Sequence, residues 1–306
     1  MNKKMRLVMN KTAVSRLTKV RHRNELNSTL SSLPMSAKKV LFLVLSQINT
    51  KNEFDDNHIF YLTANDYVKW VNVNIDTAYC SLKEGAIILD NVLLKLKHEE
   101  IIELSDELQL PFTSKNAPDY INLSLTEFSA YYKNEGKIGI RFTKSAKQYL
   151  CKLVGSEKKY TTQILLSVVK LSSVNASSIY QLIRKKISNN SRIKFFDISI
   201  NELKDEMYLY DVDSKGRKVY SYPEYPFFRR DVLNKAVKEI IKCTEIKDLK
   251  FEVIDKIGRK VNKIRFTFFI KEYDTKQNFT IEEQEFLADF DKNVHTPVKK
   301  RTYKKQ

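Results

Sequence analysis

Two runs of alternating apolar residues, Leu249, Phe251, Val253 and then Ile264, Phe266, Phe268, Ile270, follow closely on a helical stripe in the second half of the chain. Alternation with period two places such residues on one face of a strand, so the pair reads as a β-hairpin with one buried face. The segment between them, Ile254 to Val261, reads as its tip, where Gly258 permits a tight turn. Ahead of the hairpin, Tyr225-Pro226 opens a helix whose apolar stripe is Leu233, Ala236, Val237 and Ile240. Earlier helices are predicted over residues 161–171, 175–188 and 198–207, the last with Ile200 and Leu203 inward. Three helices, a fourth and then a hairpin is the order of a winged-helix domain.

The first half reads to a similar plan. Pro34 suits the first turn of a helix in which Val40, Leu41, Val44, Leu45 and Ile48 share one face. A short strand is expected at Ile59 to Leu62 and a short helix over 64–71. Asn74 can cap the clearest helix, with Ile75, Tyr79, Leu82, Ala86 and Leu89 on one face and Thr77, Cys80 and Glu84 opposite. Val92 to Lys97 and Ile138 to Phe142 have strand character, Lys115 to Asp119 is turn-like, and a last helix runs from Ser145 to Val154. The predicted fold is α+β, with two tandem winged-helix (helix-turn-helix) domains. Its expected parts are a flexible basic arm (1–29), an N-terminal domain (30–154), a linker (155–160), a C-terminal domain (161–272) and a basic tail (273–306).

Composition supports two packed domains. Of 306 residues, 42% are hydrophobic, while six Gly and six Pro are too few for a loop-rich sandwich or barrel. The net charge of +17 attracts polyanions, although Lys with abundant Asn and Ile is also what AT-rich coding produces, so position decides more than the sum. Residues 1–24 carry eight Lys or Arg and no acid, the pattern of a basic arm or an ordinary frayed terminus. The start lacks the apolar stretch of a signal peptide and no run suffices for a membrane span, so a soluble, cytoplasmic protein without membrane contact is expected.

On the helix opened by Pro226, Asn234, Lys235, Lys238 and Lys242 lie opposite or beside the apolar stripe, the side that would face DNA. Arg229 and Arg230 fall nearer the core side on a continuous helix, but stand in its first turn, ahead of most of the core. Lys256, Arg259, Lys260, Lys263 and Arg265 form a basic series on the hairpin, suited to the adjacent backbone or minor groove. In the first half only Asn74, Thr77 and Lys83 are candidates, set against Asp76, Glu84 and Asp90, so the second domain is expected to carry the main recognition.

No enzyme motif is found. A GxxxxGK[ST] loop is missing, the four His residues 22, 58, 98 and 295 are scattered, and Cys80, Cys151 and Cys243 form no CxxC pair. The expectation is a non-enzyme with no catalytic residue, no metal and no cofactor.

The order of residues resembles the initiator (Rep) proteins of theta-replicating iteron plasmids over residues 30–272. The resemblance rests on Leu41 with Ser46-Gln47-Ile48, Ala78-Tyr79, Leu82-Lys83-Glu84 and Leu89 in the first half. In the second it rests on Tyr160-Thr161, Ser178 to Leu182, Leu203-Lys204, Phe228 to Leu233, Ala236-Val237, Glu239-Ile240, Gly258-Arg259-Lys260 and Ile264-Arg265-Phe266. It implies monomers that bind repeated origin DNA, help melt an AT-rich region and load host replication proteins such as helicase and initiator. It also implies dimers, joined through the N-terminal domain, that repress their own promoter and so affect copy control. Arg229 and Arg230 would contact base or phosphate, and Lys256, Arg259 and Lys260 would form the wing. Asp231 stands where a basic residue can occur, and Ile241 replaces the Asn that often follows Glu-Ile. A transcriptional repressor without an initiation role would use the same helices, and a scaffold protein would show no sequence preference.

Overall fold

A computed structural model describes residues 18–108, 110–153 and 159–270. The first half runs β1 (Lys19–Arg23), α1 (Leu26–Ser32), α2 (Met35–Leu45), β2 (Phe60–Thr63), α3 (Ala64–Val71) and α4 (Ile75–Leu89). It continues with β3 (Leu93–Lys97), α5 (His98–Leu108), β4 (Tyr120–Ser124), β5 (Thr126–Tyr132), β6 (Lys137–Phe142) and α6 (Lys144–Lys147). The second half runs β7 (Tyr160–Ile164), α7 (Leu165–Lys170), α8 (Val174–Asn189), β8 (Phe195–Ser199), α9 (Ile200–Glu206), β9 (Tyr210–Val212) and β10 (Lys218–Tyr220). It closes with α10 (Tyr225–Phe228), a π-turn (Arg229–Leu233), α11 (Asn234–Cys243), β11 (Ile246–Ile257) and β12 (Lys260–Ile270).

The two halves repeat one topology. In each, a short strand follows the second helix and pairs antiparallel with the last strand, which is also the second arm of a hairpin: β2–β6–β5 in the first and β8–β12–β11 in the second. The next two helices stand between, each started by a side-chain cap at Thr63, Asn74 or Ser199 except α10, where Pro226 sits in the first turn. Each half also holds an insertion, β3–α5–β4 before the first hairpin and β9–β10 before α10.

Several sequence expectations need correction. Residues 19–29 are not arm: β1 pairs with β7, Lys19 to Ile164 through Arg23 to Tyr160, and Val20, His22, Leu26 and Asn27 are buried. Eight Lys or Arg without an acid over residues 1–24 suggested solvent, but Val20 and His22 face inward once a strand remote in sequence supplies backbone partners. Residues 1–17, the segment 154–158 and the tail 271–306 lie outside the described residues. The start of the predicted 161–171 helix is strand β7, and β8 forms before α9. The predicted 145–154 helix shrinks to α6. Helix α5 and strands β4 and β5 were not anticipated, although Ile101, Leu104 and Leu108 repeat at helical spacing behind Glu99 and Glu100. Helix α2 is buried on nearly every side, because it lies against α4, α7 and β2 at once.

Polar side chains tie the halves together. Asn27 Nδ2 donates to Thr161 Oγ1 at 3.1 Å, and Gln181 Nε2 donates to the Asn27 carbonyl at 2.8 Å. The buried Lys38 ammonium on α2 donates to Ser178 Oγ on α8 at 3.4 Å, and burial pushes it down to about 7. Within the second half, the buried Glu245 carboxylate accepts from Ser167 Oγ (2.6 Å), Tyr180 OH (2.9 Å) and Arg184 Nη1 (3.2 Å). Arg184 Nε also donates to the Thr162 carbonyl of β7 at 2.7 Å. Removing the carboxylate leaves a buried guanidinium unpaired, so Glu245→Ala should cost about 3–5 kcal/mol, read from urea unfolding. A loss within about 0.5 kcal/mol, the size of an ordinary surface change, would show that the network is dispensable.

His22 gives a pH dependence. Its Nε2 accepts from Gln163 Nε2 and its Nδ1–H donates to the Arg23 carbonyl, both at 3.0 Å, so the ring is held neutral. Burial depresses it from 6.5 to about 4. The unfolded chain therefore binds this proton first, and the stability His22 contributes is present above pH 6.5 and lost as pH falls toward 4. The expected slope is about 1.4 kcal/mol per pH unit in that window. Denaturant midpoints from pH 7 to 4 should fall more steeply for the parent than for His22→Gln, and parallel curves would refute the assignment.

Candidate nucleic-acid interface

In the second half, α10, the π-turn and α11 form one continuous helical rod with Phe228, Val232, Leu233, Ala236 and Ile240 buried. Arg229 precedes Leu233, Ala236 and Ile240 by four, seven and eleven residues, the spacing of a single α-helical face. On an unbroken α-helix it would enter the core. The wider turn over 229–233 absorbs one extra residue, rotating the preceding turn so that Phe228 points inward and Arg229 and Arg230 point to solvent. Asn234, Lys235 and Lys238 are exposed on the same rod, and Val237 is half-buried at the edge of the stripe.

Groups that the sequence reading did not single out hold this rod in place. Glu239 accepts from the Ser172 and Ser173 amides, at 2.5 and 3.2 Å, fastening α11 to the start of α8. Buried Lys204 of α9 donates to the Tyr222 carbonyl at 2.7 Å and lies 5.2 Å from the Phe228 ring centre, bracing the loop ahead of α10. The Lys247 ammonium donates to the Ile241 carbonyl near the other end. Glu239 and Lys204 stand in the stretches that carried the family resemblance, but their partners are distant in sequence.

The hairpin β11–β12 is longer than its sequence suggested. Ile257 pairs with Lys260, so the turn reduces to Gly258 and Arg259, with Gly258 at φ +59° and open space around it. The basic series divides into separate roles. Lys256, Arg259 and Lys260 are exposed at the tip, and Lys263 pairs across the strands with Asp255. Arg265 forks onto Asp197 of β8 at 2.7 and 2.9 Å, which commits it to holding the sheet edge. That fork also holds the Asp197 carboxyl below its ordinary range.

On α4 and its cap, Asn74, Thr77 and Lys83 are exposed, with the Asn74 side-chain Oδ1 already accepting the Thr77 amide at 2.7 Å. The expected apolar face is rotated: Ile75 and Tyr79 lie on the outside, and Ala78 and Gly85 face inward with Leu82, Ala86 and Leu89. Helix α2 approaches so closely that a Cβ on Gly85 would stand 2.7 Å from Val40 Cγ2, so small residues must line the contact. Tyr79 instead covers Gly136 at the β5–β6 turn, where φ is +55°. Thus Arg229, Arg230, Asn234, Lys235 and Lys238 share one rod and Lys256, Arg259 and Lys260 one hairpin tip, while Asn74, Thr77 and Lys83 stand on a different helix.

Comparison with known proteins adds independent findings. The family model described as initiator replication protein, first winged-helix domain, matches residues 19–184, and that for the second winged-helix domain matches residues 199–268. The PI protein of Escherichia coli is 40% identical over 296 residues, covering 94% of this chain and 96% of that protein. A crystal structure of the Pi initiator protein in complex with iteron DNA superposes with a TM-score of 0.77 at 40% identity, covering 85% of this chain and all of that one. The repeated strand–helix–helix–hairpin topology is therefore two winged-helix domains in tandem, and the chain belongs to the plasmid Rep initiator family.

Proposed function

We propose that this protein is a plasmid replication initiator that reads directly repeated origin DNA with α10–α11 in the major groove. The β11–β12 tip lies along the adjacent backbone or minor groove, and α4 adds a weaker second grip. The observation that carries this reading is the π-turn, which brings Arg229 and Arg230 out of the core onto the rod that bears Asn234, Lys235 and Lys238. A relative 40% identical to this chain is solved on iteron DNA, which supports the same ligand here.

The remaining steps belong to the same proposal. The protein acts by binding and not by catalysis, in the bacterial cytoplasm. It promotes origin opening, recruits host helicase and initiator proteins, and as a dimer represses its own promoter. Among the described residues no helix is long and apolar enough to cross a membrane.

Anisotropy titration on a duplex carrying one direct repeat from the DNA beside the gene, and on a scrambled duplex, tests the reading. Arg229→Ala should weaken repeat binding by about 1–3 kcal/mol and scrambled binding by less. Equal losses would make Arg229 a phosphate contact, and no loss on either would remove the helix from the interface. Lys256→Ala should weaken both duplexes alike and lower the slope of log K against log salt by about one. An unchanged slope would take the hairpin tip off the DNA. A preference for a lone palindrome over direct repeats would favour a repressor without an initiation role.

A further inference from the structure

Within the π-turn, the neighbouring side chains Arg230 and Asp231 form a fork. Arg230 Nε donates to Asp231 Oδ1 at 3.0 Å and Nη2 donates to Oδ2 at 2.8 Å. Adjacent residues on a regular α-helix do not face each other, so this pairing is a feature of the local turn. The Phe227 ring stands 5.2 Å from the guanidinium carbon, and Lys235 Nζ lies 3.7 Å from Asp231 Oδ1. Asp231 is the less exposed member, at 28% of its side chain against 67% for Arg230, so the carboxylate is the base of the fork and the guanidinium its free end.

The geometry leaves a defined edge open. A guanidinium has five N–H donors, and the Nε–Nη2 side is taken by the carboxylate. The opposite edge, one N–H from Nη1 and the second from Nη2, remains available, and two parallel donors are what guanine O6 and N7 accept in the major groove. An unsupported arginine must give up rotamer freedom on binding, whereas one already held by a carboxylate and an aromatic ring loses less.

We infer that Asp231 is a positioning residue that presents Arg230 end-on to a guanine, and so sets base preference without touching DNA. The inference rests on the proposal that this rod faces the major groove. A negative charge placed at a phosphate-binding helix would otherwise only repel, and the two readings predict opposite signs. As a positioning group, Asp231 raises affinity for the repeat above that for other sequences; as a repelling charge, it lowers affinity for every duplex.

The test uses the full chain and Asp231→Ala, Arg230→Ala and the double variant, titrated on the repeat duplex, on single-base-pair variants of it and on the scrambled duplex. Asp231→Ala should reduce the repeat-to-scrambled affinity ratio by about 5-fold, the lower end of one bidentate base contact. Its loss of discrimination should fall on the same G·C pair as that of Arg230→Ala, and in the Arg230→Ala background Asp231→Ala should have no further effect on the ratio. Tighter binding of Asp231→Ala to both duplexes, or an equal effect with and without Arg230, would overturn the positioning role. Should Arg229→Ala and Arg230→Ala both leave repeat binding unchanged, the DNA-facing reading itself fails, a different result from losing Asp231 alone.

Discussion

The buried carboxylate of Glu245 is the point on which the arrangement depends. It sits between the end of α11 and the start of β11, so its position sets where the helical rod stops and the hairpin begins. Its partners come from α7 and α8, and one of them, Arg184, reaches on to β7, which is clasped to β1 from the far end of the chain. A charge withdrawn from water is tolerated only when its hydrogen-bonding capacity is met, and meeting it from three directions leaves little freedom to shift. The hairpin tip and the rod are thereby indexed to the same scaffold as the joint between the halves.

That scaffold gives the π-turn its value. A helix with Arg229 in the core register would have to bury a guanidinium or turn its apolar stripe outward. The extra residue in one turn resolves the conflict: Phe228, Val232 and Leu233 pack inward while two arginines face out. Glu239 and Lys204 then hold the rod near both ends against α8 and the preceding loop. These groups need not approach DNA to affect binding, since a small rotation of the rod would misplace every outward side chain.

The two halves share a topology but differ in electrostatics. Helix α4 presents Lys83 among Asp76, Glu84 and Asp90, with exposed Ile75 and Tyr79 at its start, while the second rod and its hairpin present Arg229, Arg230, Lys235, Lys238, Lys256, Arg259 and Lys260. Counterion release scales with the number of phosphates neutralised. In the proposed complex the second domain supplies most of the electrostatic affinity and the first a lesser share, following the charge distribution along the chain.

Much was legible from residue order. The period-two runs around Phe251 and Phe266, the Asn74 cap, the helix opened by Pro226 and the exposure of Asn234, Lys235 and Lys238 follow from local periodicity and turn chemistry, whereas Arg229 and Arg230 reach solvent only through the π-turn. What the sequence could not disclose depended on contacts between distant segments. Residues 19–29 read as arm because the partner of β1 lies some 140 positions away. Ile75 and Tyr79 read as core because only the closeness of α2 shows that Gly85 and Ala78 must take the inner face. The five-residue basic series read as one wing, yet Arg265 is committed to Asp197 on a separate strand. The sequence by itself determined the capped helices, the last hairpin and where positive charge accumulates. Only the tertiary structure decided which of those charges stay exposed and which are committed to other side chains, because pairing, burial and helix register are set by neighbours in space.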